Sequence, residues 1–251
     1  MSQVQSGKEP EIMIPVNIKV LGLSMTPILG GNCDTMVQEA LASMEGVPGV
    51  ETEFITTADK EIAICKHCQW CIENMSPCKV EDDANMILGK MVESDGIILG
   101  TPTWNVSPAP FMFALISRWR YHQFFTYNFG NKVVGLLTLG FLGMGLERAL
   151  EGMEPFGRGA GFVVARGWVN ASTVAFGQRP TYLEHGALDD KAGMRRVKDV
   201  AIKVVEITRM IKYAKEAGVT LPEEYKRTFR GVHLKDRENK VFVDGVWRDK
   251  E

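Results

Sequence analysis

The chain has 251 residues, 45% of them hydrophobic and 24% charged, enough to bury a sizeable core in one principal domain. With 29 Lys plus Arg against 31 Asp plus Glu, no net field attracts nucleic acid or an anionic membrane, and no apolar run reaches the roughly 18 to 20 residues that span a bilayer. The polar stretch at 1–10 is unlike a signal peptide, so a short N-terminal arm at 1–15 and a cytoplasmic location are expected.

Residues 16–23 (VNIKVLGL) form a near-continuous apolar run, which predicts a buried strand; the turn-rich stretch 24–31 and an amphipathic helix at 34–44 follow. Alternation at 51–57 predicts a second strand, helical spacing recurs at 82–92, and 96–100 (GIILG) is short enough for a third, buried strand. Next come a helix at 112–120, a strand at 132–139 (KVVGLLTL), a helix at 146–153, a strand at 161–165 (GFVVA) and a long helix from about 187 to 217. Strands alternating with helices at this interval imply right-handed crossovers, hence an α/β domain at 16–217 with a doubly wound, five-stranded parallel sheet. In such sheets ligands gather at the carboxyl ends of the strands, here the loops after Leu23, Leu99 and Leu139. A polar C-terminal extension, 218–251, carries a candidate hairpin at 239–247 around Asp244-Gly245.

Four of the five cysteines crowd into one short loop, 62–80, as Cys65, Cys68, Cys71 and Cys78, a C-x2-C-x2-C-x6-C pattern. Such density in a reducing compartment suggests metal rather than disulfides. Thiolates at successive three-residue intervals wrap a compact object and bind three of its corners, as a cubane iron-sulfur cluster requires, and Cys78 supplies the fourth after a turn at Pro77. A mononuclear zinc site usually draws paired cysteines from separated segments, which this run with its shared middle cysteine fits poorly; zinc and plain redox thiols stay as alternatives. His67 lies inside the motif as a surface residue beside it.

The loop from Gly22 to Cys33 follows the first strand and opens a helix, where glycines, hydroxyls and unpaired backbone N–H groups suit a phosphate. After the third strand, Pro102, Thr103, Trp104 and Asn105 offer a ring beside small polar groups; after the fourth, Gly140, Phe141 and Gly143 let backbone approach a flat ring. Taken singly, each is equally a core aromatic, a turn or a helix cap; on one edge of one sheet they suit an isoalloxazine. The aromatic stretch 119–129 could stack on a flavin, line a subunit interface or pack in the core. No spacing suggests hydrolysis.

On the cysteine motif and these loops, residues 16–209 resemble the iron-sulfur flavoproteins of anaerobic archaea and bacteria, flavodoxin-like proteins within the NAD(P)H-dependent FMN reductase group. The resemblance implies a [4Fe-4S] cluster on Cys65, Cys68, Cys71 and Cys78, and FMN at a subunit interface. The family's Gly-Ser-Pro-Arg then Gly-Asn-Thr reads here as Met25-Thr26-Pro27-Ile28 and Gly31-Asn32-Cys33, which puts Thr26, Asn32 and Cys33 at the phosphate, with Ser24 a further cofactor-binding candidate in the same loop. Ile28 stands where Arg is usual and Cys33 where Thr is usual; the family's Pro-x-Tyr stretch reads here as Pro102-Thr103-Trp104-Asn105, and the Asp-Arg that closes the next helix appears as Ser117-Arg118. The function implied is electron transfer from a low-potential donor such as ferredoxin through the cluster to FMN and an acceptor, in a homodimer or homotetramer. The alternatives are an NAD(P)H-dependent FMN or quinone reductase, and a zinc-stabilised binding protein without enzymatic activity.

Overall fold

The structure is a computed structural model and describes residues 16–167, 169–171, 186–219, 240–243 and 246–250. The expected arm at 1–15, the stretch 220–239 and the turn at Asp244-Gly245 lie outside the described residues.

The first apolar run folds as β1 (Ile18–Ser24), followed by α1 (Asn32–Ala42) and β2 (Val50–Thr56). The cysteine segment contains one short helical turn, α2 (Trp70–Glu73), and leads into α3 (Ala84–Glu93) and β3 (Gly96–Trp104). A two-residue strand, β4 (Ser107–Pro108), returns along β3 before α4 (Pro110–Arg118) and a π-helical turn at His122–Thr126. Then come β5 (Val133–Phe141), α5 (Leu146–Ala160), β6 (Val163–Arg166), β7 (Val169–Ala171), a 3-10 turn at Gly186–Asp189 and α6 (Lys191–Glu216). A separate hairpin pairs β8 (Lys240–Val243) with β9 (Val246–Asp249), as the 239–247 pattern predicts.

The spine is parallel, in the order β2-β1-β3-β5-β6. Numbered by spine strands alone, that is the 2-1-3-4-5 order of flavodoxin-like folds, so the expected α/β class and parallel sheet stand. Its two faces carry separate cores. Val20, Ile98 and Leu137 pack with Met36, Val37 and Val204 from α1 and α6, while Leu21, Leu23, Ile97, Leu99 and Leu136 pack with Ile87, Leu88, Leu115 and Met153 from α3, α4 and α5. Neighbouring strand residues point to opposite faces, which is why these strands read as unbroken apolar runs rather than alternating ones. Gly100 lets α1 lie close: a Cβ there would stand 2.5 Å from a methyl of Val37.

Two strands run further than the hydrophobic pattern indicates. β3 continues through Pro102, Thr103 and Trp104, because Thr101 and Pro102 pair with Thr138 and Leu139. β5 continues through Gly140 and Phe141, because β7 pairs with its last three residues and widens the sheet beyond five strands. Backbone pairing, rather than side-chain polarity, sets both ends. The expected 187–217 helix is broken at Asp190, whose carboxylate accepts the Gly193 N–H at 2.8 Å and restarts the helix as α6.

Candidate functional site

The loop after β1 is pinned at its root. Thr57, 1% exposed, accepts the Thr26 N–H at 2.9 Å, donates its hydroxyl to the Thr26 carbonyl at 3.0 Å, and gives its own N–H to the Ser24 carbonyl. Met25 N–H reaches the Gly100 carbonyl at 2.7 Å, tying this loop to β3. Ser24, Thr26, Asn32 and Cys33 are all buried at the carboxyl edge of β1 and the start of α1. Their roles differ from one another. The Thr26 hydroxyl oxygen accepts the Ile28 N–H at 3.2 Å, and the Asn32 side-chain oxygen accepts the Ala187 N–H at 2.9 Å, fastening the 3-10 turn to α1. Burial pushes the Cys33 thiol up to about 12, partly offset by the Ser24 hydroxyl, so it is a packed neutral thiol and not a redox nucleophile.

The N–H groups available to an anion begin later than Gly31, whose N–H is bonded to the Ile28 carbonyl. Gly30 gives its N–H to Asp34 at 2.7 Å. The N–H groups of Cys33 and Asp34 lie in the first turn of α1, where no helical acceptor exists and the dipole favours an anion. Asp34 is 2% exposed, and its second carboxylate oxygen is a buried acceptor with no donor. Donors at a helix N-terminus beside one orphaned acceptor fit a ligand that carries both an anion and hydroxyl groups.

Beyond β3, Asn105 and Val106 form the two-residue turn between β3 and β4, with φ of 47° and 57°. Both central residues of such a tight hairpin need positive φ, which Asn tolerates and a β-branched Val resists. Trp104 is 42% exposed and meets Phe111 edge-on, so it is a rim aromatic rather than a core one. The Thr103 and Thr138 hydroxyls bond at 2.8 Å and join β3 to β5 beneath this rim. The turn after β5 is closed by Gly143 N–H on the Gly140 carbonyl at 3.3 Å. A Cβ on Gly140 would crowd Met144, Thr103 and Leu146.

The cysteine segment lies over the end of α4. Cys65, Cys71 and Cys78 are half-buried and Cys68 is exposed; all are free thiols. Burial pushes the Cys71 thiol up, Arg120 pulls it down, and Cys78, Cys65 and Cys68 push it up again. Among the described residues, no three His, Cys, Asp or Glu side chains converge closely enough to hold a single metal ion. Positive φ at His67, Gln69 and Met75 folds the loop tightly, and Gln69 accepts from Arg120 at 3.3 Å.

What spacing alone missed is the anchor beneath this loop. Arg118 and Asp82 form a buried two-point ion pair, at 2.6 Å and 3.1 Å. Burial disfavours the Asp82 carboxylate, but the Arg118 guanidinium and the N–H groups of Ala63 and Ala84 outweigh it and hold its carboxyl below the usual range. Ser117 accepts the Cys65 N–H at 2.9 Å. Nε of Arg118 and Nη1 of Arg120 are buried donors with no acceptor, each on a guanidinium within electrostatic reach of a motif cysteine. Thiolate and sulfide sulfurs are the acceptors such donors lack, so this donor set fits an iron-sulfur cluster. The Ser117-Arg118 pair at the helix end was the sequence signal; only its contacts explain it.

No helix among the described residues is long and apolar enough to cross a membrane. The family profile for NADPH-dependent FMN reductases matches residues 18–175. An iron-sulfur flavoprotein of Methanocaldococcus jannaschii is 32% identical over 197 residues, covering 78% of this chain and 100% of that protein. One from Methanosarcina thermophila is 25% identical over 196 residues, covering 78% of this chain and 97% of its own. Among solved structures, a flavone reductase superimposes with a TM-score of 0.60 at 16% identity, covering 93% of this chain and 81% of that one, a likeness of fold. The chain belongs to the NADPH-dependent FMN reductase family and, within it, to the iron-sulfur flavoproteins.

Proposed function

We propose that this protein is an electron-transfer iron-sulfur flavoprotein that takes electrons from a low-potential donor such as ferredoxin and delivers them to an acceptor. The cofactors proposed are FMN at the carboxyl edge of the sheet and a [4Fe-4S] cluster on Cys65, Cys68, Cys71 and Cys78. When bound, FMN exchanges electrons singly or in pairs and a cubane exchanges them one at a time, so together they join one-electron to two-electron chemistry.

The observation that carries this reading is the cysteine loop itself: four free thiols in one short segment beside two arginines that each keep one buried nitrogen, Nε of Arg118 and Nη1 of Arg120, without an acceptor. A cubane takes one thiolate per iron, so its ligands stand apart around the cube rather than meeting at one point. In this reading Cys33 and Asp34 N–H groups hold the phosphate, Asp34 takes a hydroxyl of the ligand, and Trp104, Asn105 and Gly140 to Gly143 border the ring. Ser24, Thr26 and Asn32 shape the loop from within. The unit that does this is 16–217, with 62–80 as the cluster loop. Exposed Leu29, Ile64, Val106, Leu142 and Met144 around the same edge support a homodimer or homotetramer closing over it.

Anaerobic purification with iron, sulfide, zinc and flavin assays tests the proposal. Broad brown absorbance with flavin bands is expected, whereas a colourless protein loaded with zinc contradicts it. The family profile favours a second reading, an NAD(P)H-dependent FMN or quinone reductase in which the cluster is a relay. Rapid flavin reduction by NADPH alone, without ferredoxin, distinguishes that reading.

A further inference from the structure

Arg118 ends α4 with its side chain fully buried, and the groups it binds come from both ends of the cysteine loop. Nη1 donates to the Ala63 carbonyl at 2.9 Å, just before Cys65, and Nη2 donates to the Val80 carbonyl at 3.3 Å, just after Cys78. The same two nitrogens grip Asp82, which accepts the Ala63 N–H at 2.9 Å and the Ala84 N–H at 3.0 Å. Cys65 is fixed separately through Ser117, and the Cys78 carbonyl is held by the Asn85 amide at 2.6 Å. The loop's two exits therefore cannot separate without stripping hydrogen bonds from a buried charge pair.

We infer that Arg118 is a positioning residue: it buckles residues 63 and 80 together and so fixes the span between Cys65 and Cys78 on which the cluster is seated. The inference rests on reading those cysteines as cluster ligands. A loop already closed at its base loses less conformational freedom when it wraps a cofactor, and binding is tighter by that difference. Only a planar fork with several fixed donors serves two carbonyls and a carboxylate at once; an ammonium on a flexible stem does not.

The test uses the full chain purified anaerobically, as wild type, as R118K, and as the double variant D82N/R118Q, which removes both charges and leaves no buried charge unpaired. Hydrogen exchange is read across 62–80 and across β1, β3 and β5, together with the rate of iron loss to a chelator. Both variants should exchange about tenfold or more faster in 62–80 with the sheet unchanged, a loss of local rather than global protection. Iron should leave faster in both. Unchanged exchange in 62–80 and unchanged iron loss in a variant whose sheet is intact would overturn the inference. A wild type that holds no iron instead defeats the reading of the cysteines, and the exchange comparison still decides the buckle by itself.

Discussion

Gly145 and Val106 are in direct contact across the sheet edge: a Cβ placed on Gly145 would stand 2.6 Å from the Val106 Cα and 2.7 Å from its Cβ. Both hold left-handed backbone, at φ 72° and 57°. The turn after β3 and the turn after β5 therefore fix each other's position at the proposed flavin rim. Gly145→Ala should destabilise the protein by about 1 to 3 kcal/mol through strained backbone and clash, and weaken FMN binding in parallel. Adding Val106→Gly, which removes the struck side chain and tolerates positive φ, should recover part of the loss. Thermal melts and flavin titration of the single and double variants check this.

Cys33 gives a chemical contrast with the motif cysteines. Burial raises its thiol from 9.0 to about 12, so in native protein at pH 8 it should resist iodoacetamide while Cys68, the exposed motif thiol, reacts in cluster-free protein. Because the folded thiol is the weaker acid, its neutral form adds stability that is complete below pH 9.0 and lost as pH rises toward about 12. Peptide mapping after timed alkylation, and denaturant melts at rising pH with Cys33→Ala as reference, read out both effects.

Asp82 supplies the opposite sign. Its carboxyl is held below the usual range, so its pairing with Arg118 stabilises the fold fully above about pH 3.9 and fades as pH falls below that, the ordinary carboxylate value. Stability from this pair should be flat between pH 5 and 8 on the same grounds. Asp82→Ala, which strands a buried guanidinium, should cost about 3 to 5 kcal/mol at neutral pH, a cost that shrinks progressively as pH falls below the ordinary carboxylate value. Denaturant midpoints across that range decide it.

Ile28 stands half-buried in the first loop, its N–H on Thr26 and its carbonyl on Gly31. With no cation there, an anion must rely on the first-turn N–H groups of α1 and the helix dipole. Ile28→Arg should tighten FMN by about tenfold or more, about 1.4 kcal/mol, if the guanidinium reaches the phosphate. Riboflavin, which lacks the phosphate, should gain almost nothing. Equal gains for both ligands would show that Ile28 does not border the phosphate.

The parallel spine was legible because unbroken runs such as GIILG admit little except a strand buried on both faces. The ends of β3 and β5 were not, because Thr101 to Trp104 and Gly140 look like loop residues until their partners on β5 and β7 are known. Cys65, Cys68, Cys71 and Cys78 stand out as proposed ligands by their spacing alone. Asp82 and Thr57 do not, and Arg118 is marked by the resemblance without its partner: an ion pair 36 residues apart and a hydroxyl that pins a loop 31 residues away leave no periodic trace. Asn32 was expected at the phosphate, yet its side chain makes a contact with Ala187, 155 residues distant, which only the packed sheet creates.

The central claim is that the four cysteines of the loop hold an iron-sulfur cluster that exchanges electrons with the flavin. The most direct measurement is iron content and flavin reduction by reduced ferredoxin in anaerobically purified wild type, in Cys33→Ala, and in single alanine variants of Cys65, Cys68, Cys71 and Cys78. Every corner of a cubane needs its thiolate, so each motif variant should lose iron and ferredoxin-driven flavin reduction, while Cys33→Ala keeps both. Iron and flavin reduction that survive Cys78→Ala and fall with Cys33→Ala would contradict the account.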